Sequence, residues 1–237
     1  MTIDCSFGET EALVMRAGRG AGLSWGQAQE AGRAVVRLAA AGLPSVTWLA
    51  STLPKIQATP YDQRCPTNLF DSSRTLAGET CPGMGTCLCP IALGCALADA
   101  LPLHAQKSAT TVLKFAAVWS PALIAGFVLP AARRLGHSVR LTFNQTDLFI
   151  SQGIISTNGD PQCLSSEQAE HVLVTFKLPD DTEQAVIQVT DASPAATRCA
   201  IDDLVYAQLQ AYARKTYVPS TATTRVEGAG AGLTDND

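Results

Sequence analysis

"TTVLKFAAVWSPALIAGFVLPAARRLGHSVRLTF", Thr110–Phe143, changes its pattern twice within one run. Thr110 to Val118 is dense in β-branched, aromatic and aliphatic residues and predicts a strand. Pro121 to Leu135 predicts a helix, with proline in the first turn and Gly136 just past the end. Ser138 to Phe143 alternates again, so the stretch predicts a strand–helix–strand unit. Its centre, Phe115 to Ala132, carries no charge and is flanked by Lys114 and Arg133-Arg134. Roughly 18 such residues is the lower limit of a membrane span. Pro121 and Pro130 interrupt it, and nothing else in the chain is comparable, so it reads as a buried strand leading into a buried helix.

The rest of the composition agrees with a packed interior. The chain has 237 residues, 46% hydrophobic and only 16% charged. That length buries a core without staples, and that balance excludes a disordered chain. Net charge is −4, with no cluster of Lys and Arg. A phosphate-backbone footprint is therefore missing, and no nucleic-acid partner is expected. The opening "MTIDCSFGETEALV" lacks the basic and apolar regions of a secretory signal, so a cytoplasmic protein with reduced cysteines is expected. In that setting the Asn144-Gln145-Thr146 sequon carries no weight.

Upstream, helices are punctuated by caps. Ser6-Phe7-Gly8-Glu9 and Ser24-Trp25-Gly26-Gln27 both read as capping boxes, in which the serine and the third following residue satisfy each other's amides. The Gly18, Gly20, Gly22 series ends the first helix, and the second runs to Gly42-Leu43-Pro44 with a narrow stripe of Ala28, Ala31, Val35, Leu38 and Ala39. A third helix is expected from Val46 to Leu53, stopped by Pro54. From Ala58 to Pro90 regular periods fade, and a long irregular loop in a compact domain is usually functional. Cys89-Pro90 then opens a helix with Ile91, Leu93, Leu97 and Leu101 on its apolar side, stopped at Pro102.

Downstream, strands are expected at Leu148–Ser156, His171–Leu178 and Gln184–Thr190, the last two joined as a hairpin by Pro179-Asp180-Asp181-Thr182. A final helix opens near Thr197, with Asp202 and Asp203 in its first turn and Arg214 and Lys215 in its last, matching its dipole. The resulting expectation is an α+β fold, with an N-terminal helical layer packed on a mixed β-sheet, a crossover helix and a C-terminal helix. One domain, 1–237, holds a helical part (1–57), an irregular Cys-bearing loop (58–89), a mixed α/β part (90–216) and a Gly-rich tail (217–237).

The stretches "CSFGETEALVMRAGRGAGLSWGQAQEAGRAV" and "YVPSTATTRVEGAGAGLTDND" resemble a family of uncharacterised bacterial proteins catalogued as a domain of unknown function. The resemblance implies a bacterial, cytoplasmic, single-domain protein. It brings no reaction and no catalytic residues.

Candidate chemistry begins with Cys81, Cys87, Cys89 and Cys95, spaced C-x5-C-x-C-x5-C. Paired zinc knuckles and the common iron–sulfur spacings do not fit, and no metal site is expected. Cys95, inside a helix among small apolar residues, reads as a core cysteine. Cys89, at a helix N-cap, is the candidate catalytic nucleophile, because the helix end would stabilise a thiolate. A base would have to come from His104, His137 or His171, and the sequence places none of them beside it.

In the tail, Gly228, Gly230 and Gly232 would let backbone amides approach an anion, and Asp235 and Asp237 offer a cation or amine site. The tail is expected to dock on its own or a neighbouring subunit, and in the second case it would make a homo-oligomer. No dinucleotide fingerprint, P-loop or nucleophile elbow is present, so no cofactor can be named. Glu9 and Glu11, two apart, do not form a catalytic pair. Arg16 and Arg19, three apart on a helix, can jointly meet an anionic ligand. The leading expectation is a small-metabolite enzyme or ligand-binding subunit. The alternative is an assembly protein that uses loop and tail to contact a partner.

Overall fold

The structure, a computed structural model, describes residues 1–66, 80–81, 87–107, 110–151, 153–158, 161–178, 187–188 and 197–217. In chain order its elements are β1 (Thr2–Ser6), α1 (Phe7–Gly20), α2 (Trp25–Ala40), α3 (Ser45–Ala58), α4 (Tyr61–Arg64), β2 (Thr80–Cys81) and α5 (Pro90–Lys107). There follow β3 (Thr110–Phe115), β4 (Val118–Trp119), α6 (Ile124–Leu135), β5 (Ser138–Phe143), β6 (Thr146–Ser151), β7 (Ile154–Asn158), β8 (Gln168–Ala169), β9 (Val172–Lys177), β10 (Ile187–Gln188), β11 (Arg198–Asp202) and α7 (Asp203–Arg214). The fold is α+β, as the sequence predicts.

Seven strands form one mixed sheet in the order β10-β7-β6-β5-β9-β3-β2, antiparallel except between β2 and β3. The expected strand–helix–strand unit is present in split form. β3 and β5 run the same way because each pairs antiparallel with β9, which lies between them. Alternation sets the buried face: Val139, Leu141 and Phe143 of β5, Leu148 and Ile150 of β6, and Val172, Val174 and Phe176 of β9 point inward. α5 and α6 cover that face, α2 packs behind α6, and α1 lies between α2 and α7. No described helix is long and apolar enough to cross a membrane.

Helix boundaries follow their caps. Ser6 accepts from the Glu9 amide and Glu9 returns the bond to the Ser6 amide, completing the first box. In the second, Ser24 accepts from the Gln27 amide at 3.2 Å, but Gln27 Oε1 does not return the bond. α6 ends at Gly136, whose φ of +63° is the left-handed cap expected there.

Prolines do not stop the helices where the sequence predicts. α3 continues through Pro54 to Ala58. Proline at that position cannot bond to the Ala50 carbonyl one turn earlier. The Gln208 side chain, reaching across from α7, donates to that carbonyl at 2.8 Å instead. α6 repeats the device: Pro130 frees the Gly126 carbonyl, and Arg37 of α2 donates to it at 3.1 Å. α5 likewise passes Pro102 and ends at Lys107.

Three strand expectations and one helix expectation are corrected. The single strand at Leu148–Ser156 is a hairpin of β6 and β7, turned near Gly153 at φ +86°. The expected strand from Thr110 to Val118 divides into β3 and β4, and β4 leaves the main sheet to pair with β8. The expected hairpin between the last two strands is not formed. β10 pairs with β7 at the far edge, while β9 is held between β5 and β3. Finally, the segment from Arg198 to Asp202 is not the opening of a helix. It is β11, paired with β1 in a separate antiparallel ribbon, and Asp202 caps α7 by accepting from the Leu204 and Val205 amides. The turn 179–182 lies outside the described residues.

Candidate functional site

The β1–β11 ribbon joins the two ends of the described chain, and each strand runs directly into a helix: β1 into α1, β11 into α7. α1 and α7 then pack on each other. At Gly20 the approach is so close that a Cβ would stand 1.9 Å from the Tyr212 carbonyl oxygen. Away from this contact a cleft of about 480 Å³ opens between the helices, within the usual range for small-ligand sites. Glu9, Leu13 and Arg16 line one wall, and Tyr206, Gln210 and Arg214 the other, with Tyr217 at the end.

The cleft is rich in donors. Arg16 donates to the Tyr217 hydroxyl at 3.3 Å and lies 6.0 Å from its ring centroid. Gln210 donates to the Tyr206 hydroxyl at 2.9 Å. Each phenol therefore accepts one bond and keeps its own hydrogen to give. Among the described residues the Arg214 side chain has no hydrogen-bond or ion-pair partner. Among the described lining residues Glu9 is the one carboxylate, and it is exposed. The bonds from the Ser6 amide and hydroxyl hold its carboxyl below the usual range, so it stays ionised. Two arginines against one carboxylate make this cleft positive in a chain of net charge −4.

Of the two arginines singled out in the sequence, Arg16 lines this cleft and Arg19 does not. Arg19 donates to the Leu23 carbonyl and packs 4.6 Å from the Trp25 ring, closing the turn after α1. Tyr206, Gln210, Arg214 and Tyr217 are not singled out by sequence reasoning. Their signal is the four-residue spacing of Tyr206, Gln210 and Arg214 along α7, with Tyr217 three residues further on, and Arg214 reads equally well as dipole matching. Gly228, Gly230, Gly232, Asp235 and Asp237 lie outside the described residues.

Cys89 is fully buried. Its amide donates to the Arg64 carbonyl at 2.8 Å. The Ile91 and Ala92 amides do reach its sulfur, as an N-cap requires, and Arg64 adds a favourable charge. Burial outweighs them and pushes the thiol up to about 11. Cys65 and Arg64 are the ionisable neighbours that act on it, and no histidine is among them. Cys95 is pushed higher, to about 12, also by burial. Cys87 is half-buried, and the Cys81 side chain lies outside the described residues. Among the described residues no three His, Cys, Asp or Glu side chains converge as metal ligands.

The histidines are placed elsewhere. His104 is buried in α5. His137 stacks on Phe176 with ring centroids 4.5 Å apart. His171 is exposed beside Asn144, Gln168 and Glu170 in an open depression. Arg64 is buried and donates to the Ile56 and Gly22 carbonyls, which end α3 and follow α1, so it acts as a strut between helix C-termini.

Neither the curated proteins nor the solved structures give a match to this chain. Residues 5–81, which take in the end of β1, the four helices after it and the Arg16 wall of the cleft, match the family described as "Protein of unknown function (DUF3726)".

Proposed function

We propose that this chain is a small-metabolite-binding protein, or the binding part of an enzyme, whose ligand is a small organic anion held between α1 and α7. The observation that carries the reading is the pairing of Arg16 and Arg214 across a cleft whose two phenols still have hydrogens to donate. Guanidinium groups suit carboxylate and phosphate oxygens in both charge and shape. The exposed Glu9 suits a ligand that also carries an amine or hydroxyl. The loop and tail required by an assembly role lie largely outside the described residues and lend that role no support.

The test is a thermal-shift and calorimetric titration with inorganic phosphate, phosphate monoesters and small dicarboxylates. A ligand that binds the folded state raises its melting temperature with concentration. Arg16→Ala and Arg214→Ala are each expected to weaken the best anion by roughly 10- to 100-fold, as the loss of a charge-assisted bond would. Anion affinity unchanged in both variants would overturn the reading.

A further inference from the structure

Cys5 of β1 and Cys199 of β11 are direct partners in the antiparallel ribbon. Its ladder is fixed at both ends, where Phe7 donates to the Thr197 carbonyl and Asp203 to the Met1 carbonyl. Alternating inward from these bonds makes Cys5 and Cys199 a hydrogen-bonded pair, whose Cα atoms stand about 5.5 Å apart. That spacing falls where disulfides most often occur, at about 5.5–6 Å. Directly opposed residues project to the same face. Here it is the inner one, which Cys5 and Ile201 bury and on which Ile3 and Cys199 pack. Cys199 is half-buried and lines a surface cavity of about 270 Å³ with Gly42, Pro44, Thr47 and Arg198. A small reagent can reach it from that side.

We propose that Cys5 and Cys199 are a modification site: a reversible disulfide, closed by a low-molecular-weight disulfide of the glutathione type and reopened by the corresponding thiol. In the first step Cys199 gives up its proton and its thiolate attacks one sulfur of the small disulfide. That S–S bond breaks, and one small thiolate leaves and is protonated. In the second, Cys5 gives up its proton and attacks the Cys199 sulfur of the mixed disulfide, releasing the second small thiol. The two protein sulfurs are oxidised, the two sulfurs of the reagent are reduced, and two protons pass from protein thiols to released thiols.

Burial raises the pKa of both protein thiols. Cys5 is raised further by Glu9 and Asp4, with Arg198 opposing, and Cys199 by Cys5 and Asp4. Closure is therefore slow at neutral pH and quickens as pH rises. Cys5 immediately precedes the cap of α1, and Cys199 lies three residues before the cap of α7. The bond would fix the ribbon from which both cleft walls spring. Its effect on the cleft rests on the anion-binding reading, whereas the bond itself does not.

The experiment incubates the full chain with excess oxidised glutathione at about pH 8, where more thiolate forms than at neutral pH, for long enough to allow slow closure. It then maps peptides without reduction and measures melting with and without dithiothreitol. The expected result is a Cys5–Cys199 linked peptide and a melting temperature raised by roughly 5–10 °C, reversed on reduction. Cys199→Ser and Cys5→Ser should each lose both. Because Cys5 is buried and its variant can fail to fold, the half-buried Cys199→Ser is decisive. Glutathione held on Cys199 alone, or links confined to other cysteines, would overturn the proposal. A correct link that leaves phosphate affinity the same in oxidised and reduced protein supports the disulfide and counts only against its effect on the cleft.

Discussion

Gly20 of α1 meets the backbone of α7 at Tyr212 so closely that a single added carbon would lie 1.9 Å from the Tyr212 carbonyl oxygen. The obstacle is main chain, which cannot rotate away, so the helix pair itself must separate. Gly20→Ala is expected to cost about 1–3 kcal/mol, read as a lower denaturant midpoint with an unchanged slope. Gly8→Ala, in the same helix but with nothing within 4 Å of the new carbon, should be neutral or stabilising by up to about 1 kcal/mol.

Proline-freed carbonyls give a second prediction. Gln208→Ala leaves the Ala50 carbonyl without its donor, and Arg37→Ala does the same to Gly126. Each should destabilise by about 1–3 kcal/mol. Adding Pro54→Ala to Gln208→Ala restores an intrahelical N–H for Ala50. The double variant should then be more stable than Gln208→Ala alone, a coupling that a denaturation cycle measures.

Acid stability should depend on the first cap. Ser6 lowers the pKa of the Glu9 carboxyl in the folded state. The folded chain then binds fewer protons there than the unfolded chain. Its contribution is present above the ordinary carboxylate range and lost as pH falls through the lower folded value. Glu9→Gln should flatten this acid limb of the stability curve, and Ser6→Ala, which keeps the amide bond and loses only the hydroxyl's, should flatten it in part. Both should leave the limb above neutral pH parallel to that of the parent protein.

Alkaline behaviour runs the opposite way at Cys89. Its pKa is raised from 9.0 to about 11, so its contribution is complete below pH 9.0 and is lost as pH rises through about 11. The loss by pH ~11 should be about 2 kcal/mol. Cys89→Ala should remove that part of the alkaline slope, even though the cavity it leaves lowers stability at every pH. Iodoacetamide should label neither Cys89 nor Cys95 until the protein unfolds, which mass mapping before and after denaturant checks.

What could be read from the sequence was what neighbouring residues decide together. The Ser6 and Ser24 caps, the Gly136 stop and the alternation of Val139, Leu141 and Phe143 all act within a few residues, and all appear in the structure. The misreadings came from partners far along the chain. Pro54 ends a helix unless something else satisfies Ala50, and that something is Gln208. Arg198 to Asp202 reads as helix until Thr2 to Ser6 are laid against it. The candidate site fell between these cases. Arg16 was visible on its own helix face, but the α7 wall of the cleft exists only because Gly20 lets α7 come alongside.

Asp4 and Arg198, joined across the ribbon, are 194 residues apart. A ribosome adding roughly 5–20 residues per second leaves β1 waiting roughly 10–40 s for its partner strand. α1 and α2 are neighbours in sequence and can pair during that interval, yet the hydrogen-bonding edge of β1 that β11 takes stays unpaired until β11 emerges. Closing the ribbon thus waits for the last strand among the described residues, and a chain released before residue 198 would display an unpaired strand edge beside a half-built cleft.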